Sequence, residues 1–472
     1  MPVHFKQPIF CKPHFCPVET GIPLSSLSEV VAGKSLPAIL GGNDSVQGQS
    51  IFAAEPVEVF EFSLQQDEPF EKLQRFLSKY RLKEKGSDTF SGFFGGWIGY
   101  FGYELGRFIE KLPHTAVDDR GFPVIRLGFY DKVILFDHRT GQFTLTVLEC
   151  DGRGETAEEK FAVLHGWLDE AIAASAPVMK PADIETVEAD TTESNMTKAM
   201  YLDAIAKIKH YIVEGDTYQI NFSQRFEKPL EARSVDLFHW QNRFNPSPFA
   251  AYLAWEDRAV VSASPELFLE VKGDSIVTRP IKGTRPRNPL LSDESAENRE
   301  HFHDLVSSEK DQAELAMIVD LERNDLARVC VPGTRHVRCE RQIEAFPTVY
   351  HAVATVQGQL TLPPSPHRVV EILKASFPGG SITGAPKIRS MEIIDELEPT
   401  ARGVYTGSIG WIGLNFDLCW NIAIRTILIS GQKATVQAGG GIVADSDPQA
   451  EWDETLTKAR ALLAGIDAVN KT

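Results

Sequence analysis

A chain of 472 residues, 43% hydrophobic and 24% charged, is globular and too long for one ordinary core, so two domains or one large layered body are expected. Its 65 acidic residues outnumber 48 basic ones, giving a net charge of -17, which argues against nucleic acid or an anionic membrane as the main partner. An anionic metabolite can still bind where metal, Arg and Lys reverse the field locally.

Residues 1–10 are broken by Pro and charge and do not read as a signal peptide. No apolar run approaches the ~20 residues of a membrane span. Cys11, Cys16, Cys150, Cys330, Cys339 and Cys419 show no CxxC spacing, a pattern that fits reduced thiols in a cytoplasm. None lies in a Gly-x-Cys-x-Gly elbow, so no thiol for releasing ammonia from glutamine is visible.

Up to about residue 175, strand-like runs (Ile51–Ala54, Val57–Phe62, Lys132–Phe136, Phe143–Leu148) surround a helix from Pro69 to Tyr80, and a second helix spans Glu155–Ala174. The aromatics among glycines in Phe93–Tyr103 suggest tight strand packing. Residues 176–195 are polar, Pro-containing and unpatterned, and read as a linker between an N-terminal region (1–175) and a second domain (196–472). That domain opens with an amphipathic helix, Met196–Glu214, and a strand, Thr217–Phe226, carrying Gln219.

Residues 262–284 read as a strand, a Lys272–Ser275 turn and a second strand ending in Lys282. Pairing would bring Glu266 and Lys282 to one space, an acid beside a nucleophile. Gly283 admits a ligand close to the backbone and Pro280 ends ladder pairing. The competing reading is a solvated Glu–Lys ion pair.

Glu297–Cys330 reads as one long helix or two. Asp311 and Glu314 share a side with Ile318 and Leu321, and buried carboxylates need neutralising. A cation does that; so would Arg323 and Arg328. Phe377–Met391 is a Gly-rich turn feeding a helix, whose N–H groups with Ser381 and Thr383 suit an anion. Trp420–Ile429 and Ala434–Ile442 read as paired strands, with Arg425 either against a buried carboxylate or reading one on a ligand. Asp447-Pro448 starts the last helix, where Glu451, Glu454 and Lys458 share a face apart from an apolar stripe of Trp452, Leu456, Ala459 and Leu463. An ordinary charged face with Glu454–Lys458 pairing is the alternative.

Taken together, SPELF, TRPIKGT, VDLERNDLARVC, FPGGSITGAPKIRSMEIIDELEP, GVYTGSIGWI, IAIRT and AGGGIVADSDPQAEWDET resemble the chorismate-utilising enzymes, from about Met196 to the C-terminus and more weakly before it. The resemblance implies an α+β fold of antiparallel sheets in a sandwich-like core surrounded by helices. Within the family, PIKGT is similar to the branch that aminates chorismate at C4, the aminodeoxychorismate synthases, where anthranilate synthases resemble PIAGT. Gln219 stands where the isochorismate and salicylate branches carry a lysine base.

The resemblance further implies Lys282 as covalent nucleophile, Glu266 as acid for the departing hydroxyl, and His351 near the ring, or else as a core histidine. It implies Mg²⁺ held by Glu314 and Glu454, with Asp311 and Glu451 around its waters. Tyr405, Arg425, Gly440 and Gly441, with Ser381 and Lys458, are implied as substrate contacts. A separate glutamine amidotransferase subunit would deliver ammonia. The family's tryptophan pocket would use Pro248 and Phe249, but the facing strand, Ala38–Gly42, lacks its serine. Anthranilate synthase component I is the nearest rival, and a non-catalytic chorismate-binding subunit the rival of another kind.

Overall fold

The computed structural model describes residues 7–83, 92–182, 189 and 192–471. Residues 1–6, on which most of the signal-peptide reading rests, and most of 183–191, within the linker, lie outside the described residues. No helix among the described residues is long and apolar enough to cross a membrane.

Two large sheets, of twelve and ten strands, form the centre. Alternation along their strands explains why they stack. Ile51 and Ala53, Val133 and Leu135, and Ala251 and Leu253 from the first sheet meet Ile98, Tyr100 and Ile409 of the second in a shared apolar layer. Their neighbours Phe52, Ile134, Ala250 and Tyr252 point the opposite way, into a core under outer helices. Trp97, Phe101 and Ile412 do the same on the far side of the second sheet. Period-two strands with both faces apolar are buried twice, which gives helix, sheet, sheet, helix in layers. The expected α+β sandwich is what the chain forms.

Both sheets draw strands from both ends of the sequence. Ala38–Leu40 pairs with Phe249–Trp255, and Gly96–Phe101 pairs with Ser408–Gly413. The described part of residues 176–195 is tied down as well: Trp240 donates to the Lys180 carbonyl (3.1 Å), and Ser194 bridges to Phe226.

Two sequence readings change, and one left open is decided. Trp420–Ile429 is not one strand: Leu418–Asn421 belongs to the second sheet and Thr426–Ser430 to the first. The chain crosses between them with Arg425 at φ 50. Asn421 anchors the crossing by accepting from Ile409 N–H (2.9 Å) and donating to the Phe249 carbonyl (3.1 Å). Continuous apolar composition fits two strands end to end as well as one, so hydropathy carries no mark of the change. Glu297–Cys330 resolves into two helices, Ala296–Ser307 and Glu309–Ala327, with Ser308 capping the second through Asp311 N–H. Finally, Cys11 and Cys150, expected as free thiols, form a disulfide. They are register partners on antiparallel strands, a neighbourhood that sequence spacing cannot show.

Candidate active site

The hairpin forms in part: Leu267–Lys272 pairs with Ser275–Arg279, but Ser262–Ser264, read as the start of its first strand, belong to a strand of the first sheet, and Lys282, read as the end of its second, lies in the next strand. Pro280 ends that ladder, and the chain resumes as Ile281–Pro286 against Val349–Gln359, with its register shifted between Ile281 and Thr284. Gly283, at φ 90, sits in that irregular stretch, and a side chain there would strike Leu305 and Asp311. Glycine thus lets the Glu309–Ala327 helix lie against the strand that carries Lys282.

Lys282 Nζ donates to the Ser381 carbonyl (3.2 Å). Desolvation lowers its pKa, against the raising influence of Glu314 and Glu266, which makes the neutral, nucleophilic amine easier to reach than for a lysine in water. Glu266 is 4% exposed. Burial pushes its carboxyl up to about 7, tempered first by the Ser381 hydroxyl and then by Lys282. The two groups share Ser381 and influence each other; Glu266 is buried and Lys282 half-buried.

Around them lie polar atoms without protein partners. Gln219 Oε1, Asn221 Oδ1 and His351 Nε2 are buried and have no hydrogen-bond partner among the described residues; the Ser381 hydroxyl has only its contact with Glu266. Because buried polar groups are normally satisfied, such a group of orphans points to an absent polar ligand. His351 pairs through Nδ1 with Thr284 Oγ1 (2.8 Å), not with backbone, and burial, aided by Arg425, pushes its imidazole down to about 3. It is neutral there. Arg425 makes no side-chain hydrogen bond or ion pair with a carboxylate or any other group among the described residues, and burial lowers its pKa. Tyr405 is buried, and desolvation raises its phenol. Thr383, read with Ser381 as an anion contact, instead donates to the Gly379 carbonyl (2.9 Å).

Four carboxylates line the opposite side. Glu314 accepts from the Gln219 amide at 3.5 Å. Asp311 is held by Arg285 at 3.1 Å, and not by Arg323 or Arg328; Arg323 turns to Asp320 at 3.7 Å. From the Pro448–Asn470 helix, Glu451 accepts from the Ser446 hydroxyl (2.6 Å), and burial raises its pKa. Glu454 and Lys458 are nearly half exposed, as the charged-face alternative expects; partial desolvation would raise Glu454, but Lys458 at 2.6 Å, with Lys310 and Lys282 further off, outweighs it and the net shift is downward. Lys458 also donates to the Gly439 carbonyl (2.9 Å), so the helical ion pair and the place beside the pocket coexist. Glycines make the approach possible. A side chain at Gly440 would lie 2.9 Å from Glu451 Oε2 and 3.6 Å from Glu454 Oε1. One at Gly441 would collide with the Gln219 amide and reach within 3.5 Å of Lys282 Nζ.

No cluster of three or more His, Cys, Asp or Glu side chains that could hold a metal occurs among the described residues. Mg²⁺ asks for less, since it keeps several waters and takes one or two carboxylates plus ligand oxygens. The donor set fits that pattern, and a cation already sits in it: Lys310 Nζ lies 3.9 Å from both Glu314 and Glu451. Sequence reading missed Lys310, although its i,i+4 spacing to Glu314 was available, and missed Thr284 as the partner of His351.

Away from this pocket, Pro248 and Phe249 adjoin the Ala38–Leu40 strand, as the N-terminal pocket reading requires: Gly41 N–H reaches the Ala250 carbonyl at 2.7 Å and Asn43 the Ser247 carbonyl at 3.1 Å. The space beside Gly41 is taken by Ser50, whose hydroxyl accepts from Gly42 N–H (2.8 Å).

A pocket of this kind, with a nucleophilic amine, a high-pKa carboxyl, an unpaired guanidinium and acidic helices, is built for a carboxylated small molecule. Residues 43–464 match the family of chorismate binding enzymes, and the chain belongs to that family. It is 40% identical over 397 residues to aminodeoxychorismate synthase component 1 of Bacillus subtilis, covering 84% of this chain and 82% of that protein. It is also 40% identical over 380 residues to anthranilate synthase component 1 of Streptomyces coelicolor, covering 79% and 73% respectively. The crystal structure of anthranilate synthase component I from Streptococcus pneumoniae superposes with a TM-score of 0.74 at 29% identity, covering 88% of this chain and 92% of that one.

Proposed function

We propose that the protein is an aminodeoxychorismate synthase component I, a transferase that replaces the C4 hydroxyl of chorismate with an amino group. The observation that carries this is the presence of Lys282, its pKa lowered, beside Glu266, its pKa raised. Hydroxide leaves poorly unless protonated, and an amine nucleophile divides one hard substitution into two easier ones.

In the proposed sequence, neutral Lys282 attacks C2, both ring double bonds shift in turn (C1=C2 to C1=C6, C5=C6 to C4=C5) and the C4–O bond breaks, with Glu266 giving its proton to the departing oxygen so that water leaves and the attached Lys282 nitrogen carries the positive charge. Ammonia then adds at C4, both double bonds shift back, and the C2–N bond to Lys282 breaks, releasing the neutral amine. The proton lost from the new amine returns to Glu266, and the enolpyruvyl ether is untouched. Arg425 and Tyr405 would receive the enolpyruvyl carboxylate beside Gly440 and Gly441, while Lys458 closes the metal end and His351 offers a neutral ring nitrogen. Glu314 and Glu454, with Asp311 and Glu451 about the water shell, would hold Mg²⁺, which supplies positive charge for the ring carboxylate.

Ammonia would come from a separate glutamine amidotransferase subunit, a reading supported by "component 1" in the relatives' names. Tryptophan binding near Phe249 has no comparable support, given Ser50 in the space beside Gly41. Anthranilate synthase component I is the second reading, because relatives of that name are equally similar. Incubation with chorismate, Mg²⁺ and ammonium, followed by mass analysis, separates the two. Aminodeoxychorismate without pyruvate is expected; anthranilate with pyruvate would overturn the proposal.

A further inference from the structure

Behind the pocket lies an ion pair that the proposed chemistry does not use. Arg402 and Glu398 are 1% and 3% exposed and joined by hydrogen bonds of 2.8 and 2.7 Å. A buried pair of this sort gains little over apolar residues of the same volume, because desolvation offsets the attraction. Stability alone is therefore a weak reason for it.

The remaining hydrogen bonds point elsewhere. Arg402 donates to the Ile382 carbonyl (3.0 Å), the Asn221 carbonyl (2.7 Å) and the Thr406 hydroxyl (3.3 Å). Glu398 accepts from the N–H and hydroxyl of Ser223 at 2.9 and 2.7 Å. Glu104 holds the pair's own backbone, accepting from Arg402 N–H (2.9 Å) and Gly403 N–H (3.0 Å). Each recipient adjoins a pocket residue. Ile382 follows Ser381, whose carbonyl binds Lys282 and whose hydroxyl acts on Glu266. Asn221 lies two residues after Gln219 and opposite Gly441. Thr406 follows Tyr405 and is itself held at φ 59.

We infer that Arg402 is a positioning residue: its planar fork locks the Ser381 turn, the Gln219 strand and Tyr405 into one geometry, so that Lys282 and Glu266 address the same substrate. This rests on the reaction proposed above. A lysine keeps the charge but has no rigid fork to serve several acceptors at once.

The test uses Arg402→Lys and Arg402→Met in the full chain, assayed with chorismate, Mg²⁺ and ammonium. Misplacement by about 1 Å is enough to cost about a hundredfold in rate, and a fall in kcat of that order is expected in both. Mg²⁺ binding, followed by calorimetry without substrate, should stay within about twofold, because none of the four metal-side carboxylates bonds to Arg402 or Glu398 and only Glu314 is reached, through one long contact to Gln219 (3.5 Å). With the Ser381 hydroxyl displaced, Glu266 loses the contact that lowers its pKa, and the alkaline limb of the kcat/KM profile should move to higher pH. Added guanidinium should restore part of the activity of Arg402→Ala and none to Lys282→Ala.

A kcat within threefold of wild type, an unmoved pH profile, or metal affinity falling in step with kcat would overturn the inference. The last would mark a merely structural pair. If Arg402→Met fails to fold, Arg402→Lys carries the test. Wild-type protein that makes anthranilate would refute the proposed reaction instead, and the Arg402 comparison can then be read on that product.

Discussion

Replacing Glu266 with Gln should make the protein more stable at alkaline pH while destroying its activity. The carboxyl has a folded pKa of about 7 against 4.5 in a free chain, with burial the main cause. For a group raised in the folded state, the unfolded chain ionises first as pH rises. Stability is therefore full below about 4.5 and is lost between there and 7. At 1.36 kcal/mol per pKa unit the whole loss is about 3 kcal/mol above pH 7, and only about 1.4 kcal/mol of it is felt at pH 5.5. Gln resembles the protonated carboxyl and escapes the penalty. Paired urea or thermal denaturation of the two proteins at pH 5.5 and 8.5 should show the variant's advantage growing by about 2 kcal/mol, and its kcat should be lower by about 10²–10⁴-fold. An advantage that is the same at both pH values, or a variant less stable at 8.5, would mean that Glu266 is an ordinary carboxylate, and the acid role would go with it.

Lys282→Ala should lower ammonium-dependent kcat by at least about a hundredfold, and mass analysis of wild type with chorismate but no ammonia should find an adduct on Lys282 that the variant lacks; full turnover in the variant would eliminate the covalent route. Glu314→Gln and Glu454→Gln should each weaken Mg²⁺ binding by at least about tenfold in calorimetry, and unchanged affinity would remove them from the metal site. Arg425→Ala, losing a charged hydrogen bond of about 1.5–3 kcal/mol, should raise the chorismate KM by roughly ten- to a hundredfold. An unaltered KM would show that its guanidinium faces no ligand carboxylate.

Much of the site was readable because its residues lie close to strong local signals. The Lys272–Ser275 turn marks a hairpin whose open end leads back to Glu266 and on, past Pro280, to Lys282, although Lys282 itself is held by a further strand against Val349–Gln359. Helical spacing set Glu451, Glu454 and Lys458 on one face, and the structure keeps them there. What stayed hidden depends on contacts between distant segments. Arg285 as the partner of Asp311, Lys310 between two helices, and the Glu398–Arg402 pair beneath the pocket arise from packing that no short window contains. The same holds for Cys11 beside Cys150, a matter of strand register, and for the chain crossing at Arg425, where two apolar strands in different sheets read as one. Thr383 was misread because a hydroxyl in a Gly-rich turn suits an anion and a neighbouring carbonyl alike.

The way early and late strands alternate across both sheets has a consequence for biosynthesis. Ala38–Leu40 pairs at once with Gln49–Ala53 but finds its second partner more than two hundred residues later, and Gly96–Phe101, paired with Ile125–Tyr130, waits for a strand beyond residue 400 on its other edge. An emerging nascent chain therefore carries open β edges through most of its translation, the condition under which strands pair with the wrong neighbour. A break introduced near residues 176–195 would leave two fragments, each with raw edges complementary to the other's. Coexpressed, they should reassemble by strand pairing; made singly, each should aggregate.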